Sequence, residues 1–490
     1  MDIKKKILEI VNSETNVQYS YMVIEKLITV MMQDYLERQG KRFVFDNRNR
    51  DISCDALLPD GVDNISGTVA LEIKMFRNSR ILLNRLNNVI GRLALSGISI
   101  DALVLLVIND VPETVMKKLM ERNNQLNFEL YVWDINKLVE VFGTNENLFI
   151  ETYTNLSETL LQDTINNGIS RNDETSSINK RNHIQKLIEE YKKDNIVLFL
   201  GAGASKDAKI ATWDALISEL FVALIDKQLR MKNIEMASSD KENILKDIIG
   251  QNGNSPLLQT RFLRNGFATS FEEHIGEILY KNAIETSDLL EEIGQLCIPN
   301  RGKLGIRAIV SYNFDDLVEK NLRRLRVKHH SIYGEGITPD YEELGIYHVH
   351  GFIPQEKEGY SNLAESLLVF SEEGYHKLML EPYNWANMIQ LNFMLHNTCV
   401  FIGLSMSDPN MRRLLEIAAK KKNEDDSACQ HYAIMRRFHI QNSEKDSALK
   451  KFEHINESLQ ESFFQEIGIN IIWVDDYSEI PDILRQIKEG

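Results

Sequence analysis

The chain has 490 residues, enough for roughly three domains. Its hydrophobic content of 43% and charged content of 26% are those of ordinary globular domains. A formal net charge of −16 excludes a protein that coats nucleic acid or membrane by charge alone. The charge is uneven, however. Residues 1–150 hold 18 Lys+Arg and 20 Asp+Glu, a balance of −2, so −14 falls on the remainder and a local basic surface stays open to the first third.

Residues 1–45 read as helical, with Met22, Leu27, Val30, Met31 and Leu36 forming a rough apolar stripe and Glu25 inside the segment. A polar stretch follows, in which Ile52–Leu58 alternates loosely like a strand and carries Asp55. PDG at 59–61 is a turn signal. Thr68–Met75, TVALEIKM, alternates as a strand, which puts Glu72 and Lys74 on one face. Residues 75–93 contain Arg77, Arg80, Arg85 and Arg92 and no acid, a basic helix suited to DNA phosphates. A strand at Ala102–Ile108 and the segment YVWDINKL at 131–138 complete this part.

An Asp followed by Glu-x-Lys on a neighbouring strand is an arrangement suited to phosphodiester cleavage. Two carboxylates can hold Mg²⁺ or Mn²⁺ to activate water, and the lysine can stabilise the charged phosphate. About residues 15–145 resemble the PD-(D/E)xK nuclease superfamily in its Mrr-like restriction form. The matching positions are Asp55, Glu72 and Lys74, with Glu25 as the helical acid and Trp133-Asp134 at a late strand end. The resemblance implies a restriction-endonuclease-like α/β domain over 1–152, with Asp55, Glu72 and Glu25 as metal ligands, Lys74 as catalytic lysine and DNA as partner. The competing reading is a strand with a solvated Glu/Lys pair in a nucleic-acid or assembly module.

Residues 167–181, NGISRNDETSSINKR, are polar and read as a linker, within a boundary region set at 153–182. Ile184, Leu187, Ile188 and Tyr191 then fall at helical spacing. The run Ile196–Leu200 is too short for a helix and reads as a buried parallel strand. GAGAS at 201–205 follows at once, and the glycines let the backbone turn and approach a ligand closely. Thr212–Leu220 reads as a helix whose opening N–H groups would favour phosphate. Residues 214–300 are mostly helical in pattern, an insertion expected to cover the cleft. Further strands end in SYNFDD (Asn313, Asp315), in HVHG (His350, Gly351) and in GLSMSDPN (Gly403, Ser405, Asp408, Asn410), with two more near 431–436 and 469–474. Polar residues at the carboxyl ends of parallel strands mark a ligand crevice.

GAGAS, N-x-D at 313–315, HG at 350–351 and G-x-S at 403–405 occur in the order of the sirtuin NAD-binding fold. The forms GAGxS…W, FIGLSMSDPNMRRLL and INIIWVDDYSEIP resemble the sirtuin-like domains of bacterial antiphage defence proteins, over about residues 183–485. The resemblance implies a Rossmann-like parallel-sheet domain over 183–490. In it Gly201, Ala202, Gly203 and Ser205 would cradle the pyrophosphate, and Trp213 would belong to the same cofactor site. Asn313 would hold the nicotinamide ribose and the water, Asp315 the carboxamide. His350 would be the base, and Gly403 and Ser405 would line the adenosine side. Histidine suits the base role by its pKa, although His348 could share the strand face of His350. The pattern departs from sirtuin deacylases in lacking two CxxC pairs. Lys209 and Ala211 also stand where the defence-type loop has glycine and proline, so acyl-lysine chemistry fits less well than NAD hydrolysis.

The function expected is therefore a defence effector that hydrolyses NAD to ADP-ribose and nicotinamide, with a metal-dependent nuclease as a further N-terminal activity. The resemblance also implies a homo-oligomer paired with a HerA-type ATPase. The alternatives are a nuclease whose second domain senses NAD or a derived nucleotide without turnover, and a scaffold with both sites degenerate. Protein deacylation and ADP-ribosyl transfer rank below these. Cys54, Cys297, Cys399 and Cys429 form no CxxC pair, which points to a reducing compartment and no paired-cysteine zinc. The start MDIKKKILEI has no signal-peptide core, and the longest apolar run cannot span a bilayer. The expectation is a cytoplasmic protein without a membrane partner.

Overall fold

A computed structural model of the chain describes residues 2–11, 17–45, 54–75, 90, 100–121, 126–171, 173–234, 240, 256–299, 305–340, 342–370, 374, 378–421, 431–440 and 447–490. The chain divides into two compact units. One comprises Met1–Ser170, Ala419–Ala428 and His454–Glu466, and the other Arg171–Ala418, Cys429–Glu453 and Ile467–Gly490. Among the described residues no helix is long and apolar enough to cross a membrane.

The first unit is built on a five-stranded sheet of β1 (Val44–Phe45), β2 (Ala56–Leu58), β3 (Val69–Lys74), β4 (Ala102–Val107) and β5 (Glu129–Trp133), in that order. β1, β2 and β3 pair antiparallel, whereas β3, β4 and β5 are parallel. Alternation sends Val69, Leu71 and Ile73 into one core with Ile24, Leu27 and Met31 of the helix Val17–Arg38. Ala70, Leu103, Leu105 and Leu119 fill the opposite core. Burial on both faces explains why β4 is a continuous apolar run rather than an alternating one. The expected strand over 52–58 is shorter within the described residues: it begins at Ala56, and Asp55 stands just before it. Arg77, Arg80, Arg85 and Arg92 lie outside the described residues.

The polar stretch expected to be a linker is helical, formed by the helices Leu156–Ser170 and Asp173–Lys192. The boundary between the two units falls between Ser170 and Arg171. Polar residues other than Gly and Pro cost a helix only fractions of a kcal/mol each, roughly 0.7 at most. Burial of Ile184, Leu187, Ile188 and Tyr191 in the second core outweighs that cost. Composition alone does not register such an anchor.

The second unit is built on seven parallel strands: β6 (Ile196–Leu200), β7 (Ile306–Ser311), β8 (His329–Ile332), β9 (Leu344–His348), β10 (Thr398–Ile402), β11 (His431–Arg436) and β12 (Ile469–Val474). Their order is β12-β11-β10-β6-β7-β9-β8, with every pair parallel. The order reverses at β6, which has β7 on one side and β10 on the other. That is a topological switch point, where the loops leaving adjacent strands diverge and open a crevice. The 214–300 region holds the helices Trp213–Met231, Pro256–Phe267, Phe271–Tyr280 and Asp288–Leu296. The last of these packs on the C-terminal helix Ile480–Glu489, with Glu292 paired to Arg485 at 3.0 Å, and also meets the turn Ala202–Ser205 that follows β6.

Candidate active site

The apolar run of β6 ends at Leu200, in register with Ile402 of β10 and Ser311 of β7. The chain then enters a short helical turn, Ala202–Ser205. Two glycine loops interlock there. The Gly203 N–H donates to the Gly403 carbonyl at 2.9 Å, and the Gly201 N–H to the Ile402 carbonyl at 3.0 Å. A Cβ on Gly203 would lie 2.7 Å from Gly403 Cα. Gly403 has φ +68°, and its Cβ would lie 2.3 Å from the Ala204 nitrogen. Only glycines allow this approach and this conformation. Lys209 has φ +60°, a left-handed conformation that accounts for glycine being the expected residue there.

Asn313 and Asp315 follow β7 and are buried. The Asn313 side-chain amide donates to the Gly201 carbonyl at 3.0 Å and to Ser205 Oγ at 3.2 Å. Ser205 Oγ in turn donates to Asp315 Oδ1 at 3.2 Å, which also receives the Leu317 N–H. The hydroxyl of Ser205 is thus a tie between the glycine loop and the β7 loop. The Asn313 Oδ1 accepts no hydrogen bond from any described residue. Burial pushes the Asp315 carboxyl up to about 6, with the Leu317 and Ser205 hydrogen bonds and His348 opposing and Glu319 adding to the rise.

His348 and His350 have different surroundings. His348 ends β9, faces Glu319 at 2.6 Å and lies 3.3 Å from the Asn313 carbonyl. His350 stands two residues on, edge-to-face against the Tyr312 ring at 4.4 Å, with Asp408 Oδ2 at 3.6 Å from its Nε2. Burial holds the His350 ring below its ordinary pKa, and the Asp408 charge opposes that shift. Gly351 has φ +117°, and a Cβ there would lie 3.0 Å from the Leu367 carbonyl oxygen, which is why the turn after His350 takes glycine. Asp408 caps the helix Pro409–Lys421 by accepting the Met411 N–H at 2.7 Å.

The structure thus brings Gly201, Gly203, Ser205, Asn313, Asp315 and Gly403 into one hydrogen-bonded and close-packed knot. Ala202 and Gly203 are exposed at its rim. Trp213 opens the helix Trp213–Met231 and rests on Phe370 with ring centroids 4.6 Å apart, next to Phe271 and Phe314. Ser405 is exposed and bonded to Ser407 at 2.6 Å. Sequence reasoning left Asp408, Glu319 and Tyr280 without roles. Asp408 had a local signal, its place just before a helix. The other two are joined to the site only by tertiary contacts: Tyr280 Oη meets Asp316 and the Ile353 carbonyl, each at 2.9 Å.

In the first unit, Glu72 is buried and pairs with Lys74 at 2.9 Å. Asp55 accepts the Ile73 N–H at 2.6 Å. Burial, with the charge of Asp55, raises Glu25 to about 7, and Lys74 opposes. The four expected residues are therefore neighbours. Among the described residues, though, no group of three or more His, Cys, Asp or Glu side chains is arranged to hold a metal ion.

Comparison with known families gives one match on this unit, a SIR2-like domain over residues 307–459. Curated relatives are proteins named NAD(+) hydrolase ThsA. The one from Enterococcus faecium is 25% identical over 322 residues, covering 64% of this chain and 59% of its own. Those from Acinetobacter baumannii (20% over 315 residues, 62% and 55%) and Bacillus cereus (21% over 313 residues, 63% and 56%) are similar to it in the same way. The chain spans less than 60% of the length of these relatives.

Proposed function

We propose that the second unit hydrolyses NAD to ADP-ribose and nicotinamide, and that the protein acts by this route as an antiphage defence effector. One observation carries the proposal. At the switch point Asn313 has both amide hydrogens engaged by the glycine loop, while its Oδ1 is left for a ligand. The relatives' names, NAD(+) hydrolase, support the choice of substrate.

On this proposal the glycine loop, with Gly201, Ala202 and Gly203 at its turn, holds the pyrophosphate, and Gly403 and Ser405 flank the adenosine. Asp315, ionised above pH of about 6, accepts from the nicotinamide carboxamide. The Asn313 Oδ1 accepts from the ribose or from the attacking water. The bond between C1′ and the nicotinamide nitrogen breaks with its electron pair leaving on nicotinamide. Water adds at C1′, and its proton is lost through His350, whose ring is kept neutral by burial. Preorganised polar groups suit an oxocarbenium-like state better than a strong nucleophile would. Nicotinamide release by the purified chain, lost in His350→Ala and Asn313→Ala, is the test. Release of label onto an acceptor protein instead would favour group transfer.

We infer for the first unit a restriction-endonuclease-like module, supported by the meeting of Asp55, Glu72, Lys74 and Glu25 beside β3. The geometry does not fit a preformed metal centre, since Glu72 faces Lys74 and Asp55 faces a backbone N–H. Plasmid cleavage with Mg²⁺ or Mn²⁺, compared with Glu72→Ala, tests the nuclease reading. Assembly as a homo-oligomer with a HerA-type ATPase is the companion proposal, and co-purification tests it.

A further inference from the structure

Beside Asn313 lie two buried polar side chains that the hydrolysis scheme does not use, His348 and Glu319. His348 and Glu319 are essentially fully buried, at 1% and 0% exposure. The His348 ring lies on Phe352, with ring centroids 4.1 Å apart, which fixes its plane. In that orientation Nε2 is 2.6 Å from Glu319 Oε1 and Nδ1 is 3.3 Å from the Asn313 carbonyl oxygen. Burial raises the Glu319 carboxyl, but His348 and the Ser331 hydroxyl bring it below its ordinary range, so Glu319 is ionised and, like the Asn313 carbonyl, an acceptor. A neutral imidazole donates from one nitrogen only, so both bonds exist together only when both nitrogens carry hydrogen. Glu319 supplies the counter-charge, and Ser331 Oγ steadies it by donating to the same Oε1 at 2.9 Å.

A buried ion pair is a poor device for stability, because desolvation offsets most of its attraction. Its use here is geometric. The Asn313 N–H donates to Ser311 Oγ at 3.1 Å, and the Asn313 carbonyl receives the Ser311 hydroxyl at 3.5 Å beside the 3.3 Å contact with His348. Asn313 is thus held at both its own N–H and its own carbonyl, which restrains the backbone that carries its side chain.

We propose that Glu319 and His348 are positioning residues for the reaction: a buried imidazolium–carboxylate pair that clamps the Asn313 backbone and so aims its Oδ1. The proposal rests on the reading of Asn313 as the residue that handles the nicotinamide ribose. It predicts that the pair acts on turnover rather than on capture of NAD, which the glycine loops perform.

The test uses the full chain, labelled with ¹⁵N-histidine, as wild type, Glu319→Gln and Ser331→Ala, with His348→Gln to identify the signal. In wild type both ring nitrogens of His348 show the protonated signature at neutral pH. In Glu319→Gln the ring loses one hydrogen, and kcat for nicotinamide release falls at least tenfold while KM stays within about twofold. Should Glu319→Gln fail to fold, Ser331→Ala decides alone, with kcat reduced severalfold at constant KM. A neutral His348 ring in wild type overturns the proposal, as does unchanged kcat in the folded variants or a parallel loss of kcat and KM. If wild type releases no nicotinamide, the hydrolysis reading fails separately, and the ring signature still decides the pair.

Discussion

The side-chain amide of Asn313 lies 3.0 Å from the carbonyl oxygen of Gly201 and donates to it, joining the loop after β7 to the loop after β6. The two residues are 112 positions apart, and only the parallel pairing of Leu200 with Ser311 brings them together. The crevice is therefore a product of strand register. Substitutions at this junction should affect chemistry and stability in separable ways.

Replacing Asn313 with alanine leaves the Gly201 carbonyl and the Ser205 hydroxyl short of a donor in a buried setting. Each such loss costs about 1–3 kcal/mol. The melting temperature should fall by several degrees, while NAD hydrolysis should fall by at least about a hundredfold, the scale of a well-placed polar group. Thermal denaturation and nicotinamide release on the same sample check both. A variant with wild-type turnover contradicts the role.

Asp315 provides a pH signature. Its carboxyl is raised to about 6 by burial, against an unfolded value of about 3.9. The sign follows from linkage. Below the unfolded value both states hold the proton and there is no penalty. As pH rises toward 6 the unfolded state ionises first, so this group's contribution to stability is lost over that window. Asp315→Asn keeps the acceptor for Ser205 and removes the titration. Its stability relative to wild type should improve between pH 4 and pH 7 by something on the order of 3 kcal/mol, measured by chemical denaturation. A gap independent of pH would refute the assignment.

His350 sets the acid limb of the rate profile. Burial lowers its pKa and Asp408 opposes this, so the base form dominates at neutral pH and activity declines only as pH falls through the depressed value. Asp408→Asn removes the opposing charge, lowers the ring further and should move the acid limb to lower pH. A shift in the other direction would rule out His350 as the titrating base.

The glycines of the interlocked loops are not interchangeable with alanine. Gly403→Ala meets both a 2.3 Å clash and a left-handed φ of +68°, and Gly203→Ala a 2.7 Å clash with backbone. Each should destabilise by about 1–3 kcal/mol or more and abolish NAD binding. Gly336→Ala, at φ +82° but with nothing within 4 Å, carries only the conformational cost and should bind NAD normally. Calorimetric titration with NAD distinguishes them.

In the first unit, Lys74→Met removes the paired ammonium of a buried carboxylate, Glu72, and leaves that carboxylate one charge partner fewer. Breaking such a pair typically costs about 3–5 kcal/mol. That stability loss should be larger than for the double variant Glu72→Leu/Lys74→Met, in which no charge is stranded. Equal losses would show that the two side chains do not depend on one another.

Much of the second unit was legible in the sequence because its buried strands are apolar runs with polar ends. Thr398–Ile402 coincides with β10 at both ends, and β11 and β12 lie where strands were expected near 431–436 and 469–474. β8, with the sequence HHSI, was not legible: an edge strand is partnered on one side only and need not be apolar. The helical spacing of Ile184, Leu187, Ile188 and Tyr191 was legible, but the polar stretch 167–181 before it was not, because composition records polarity and not the helices Leu156–Ser170 and Asp173–Lys192 that contain it. Asn313 and His350 could be singled out because each follows a strand. Glu319 could not, because its meaning lies in a histidine 29 positions away, at the end of another element. Ser205 was expected to face a ligand. Its local motif gave no sign that its hydroxyl would be tied to Asp315.

The most direct test of the central claim is nicotinamide release by the purified full chain at millimolar NAD, alone and with a candidate ATPase partner and DNA, beside Asn313→Ala. The account predicts equimolar nicotinamide and ADP-ribose from wild type in at least one condition and none from the variant. NAD bound but unconsumed in every condition, or consumed equally by Asn313→Ala, would contradict it.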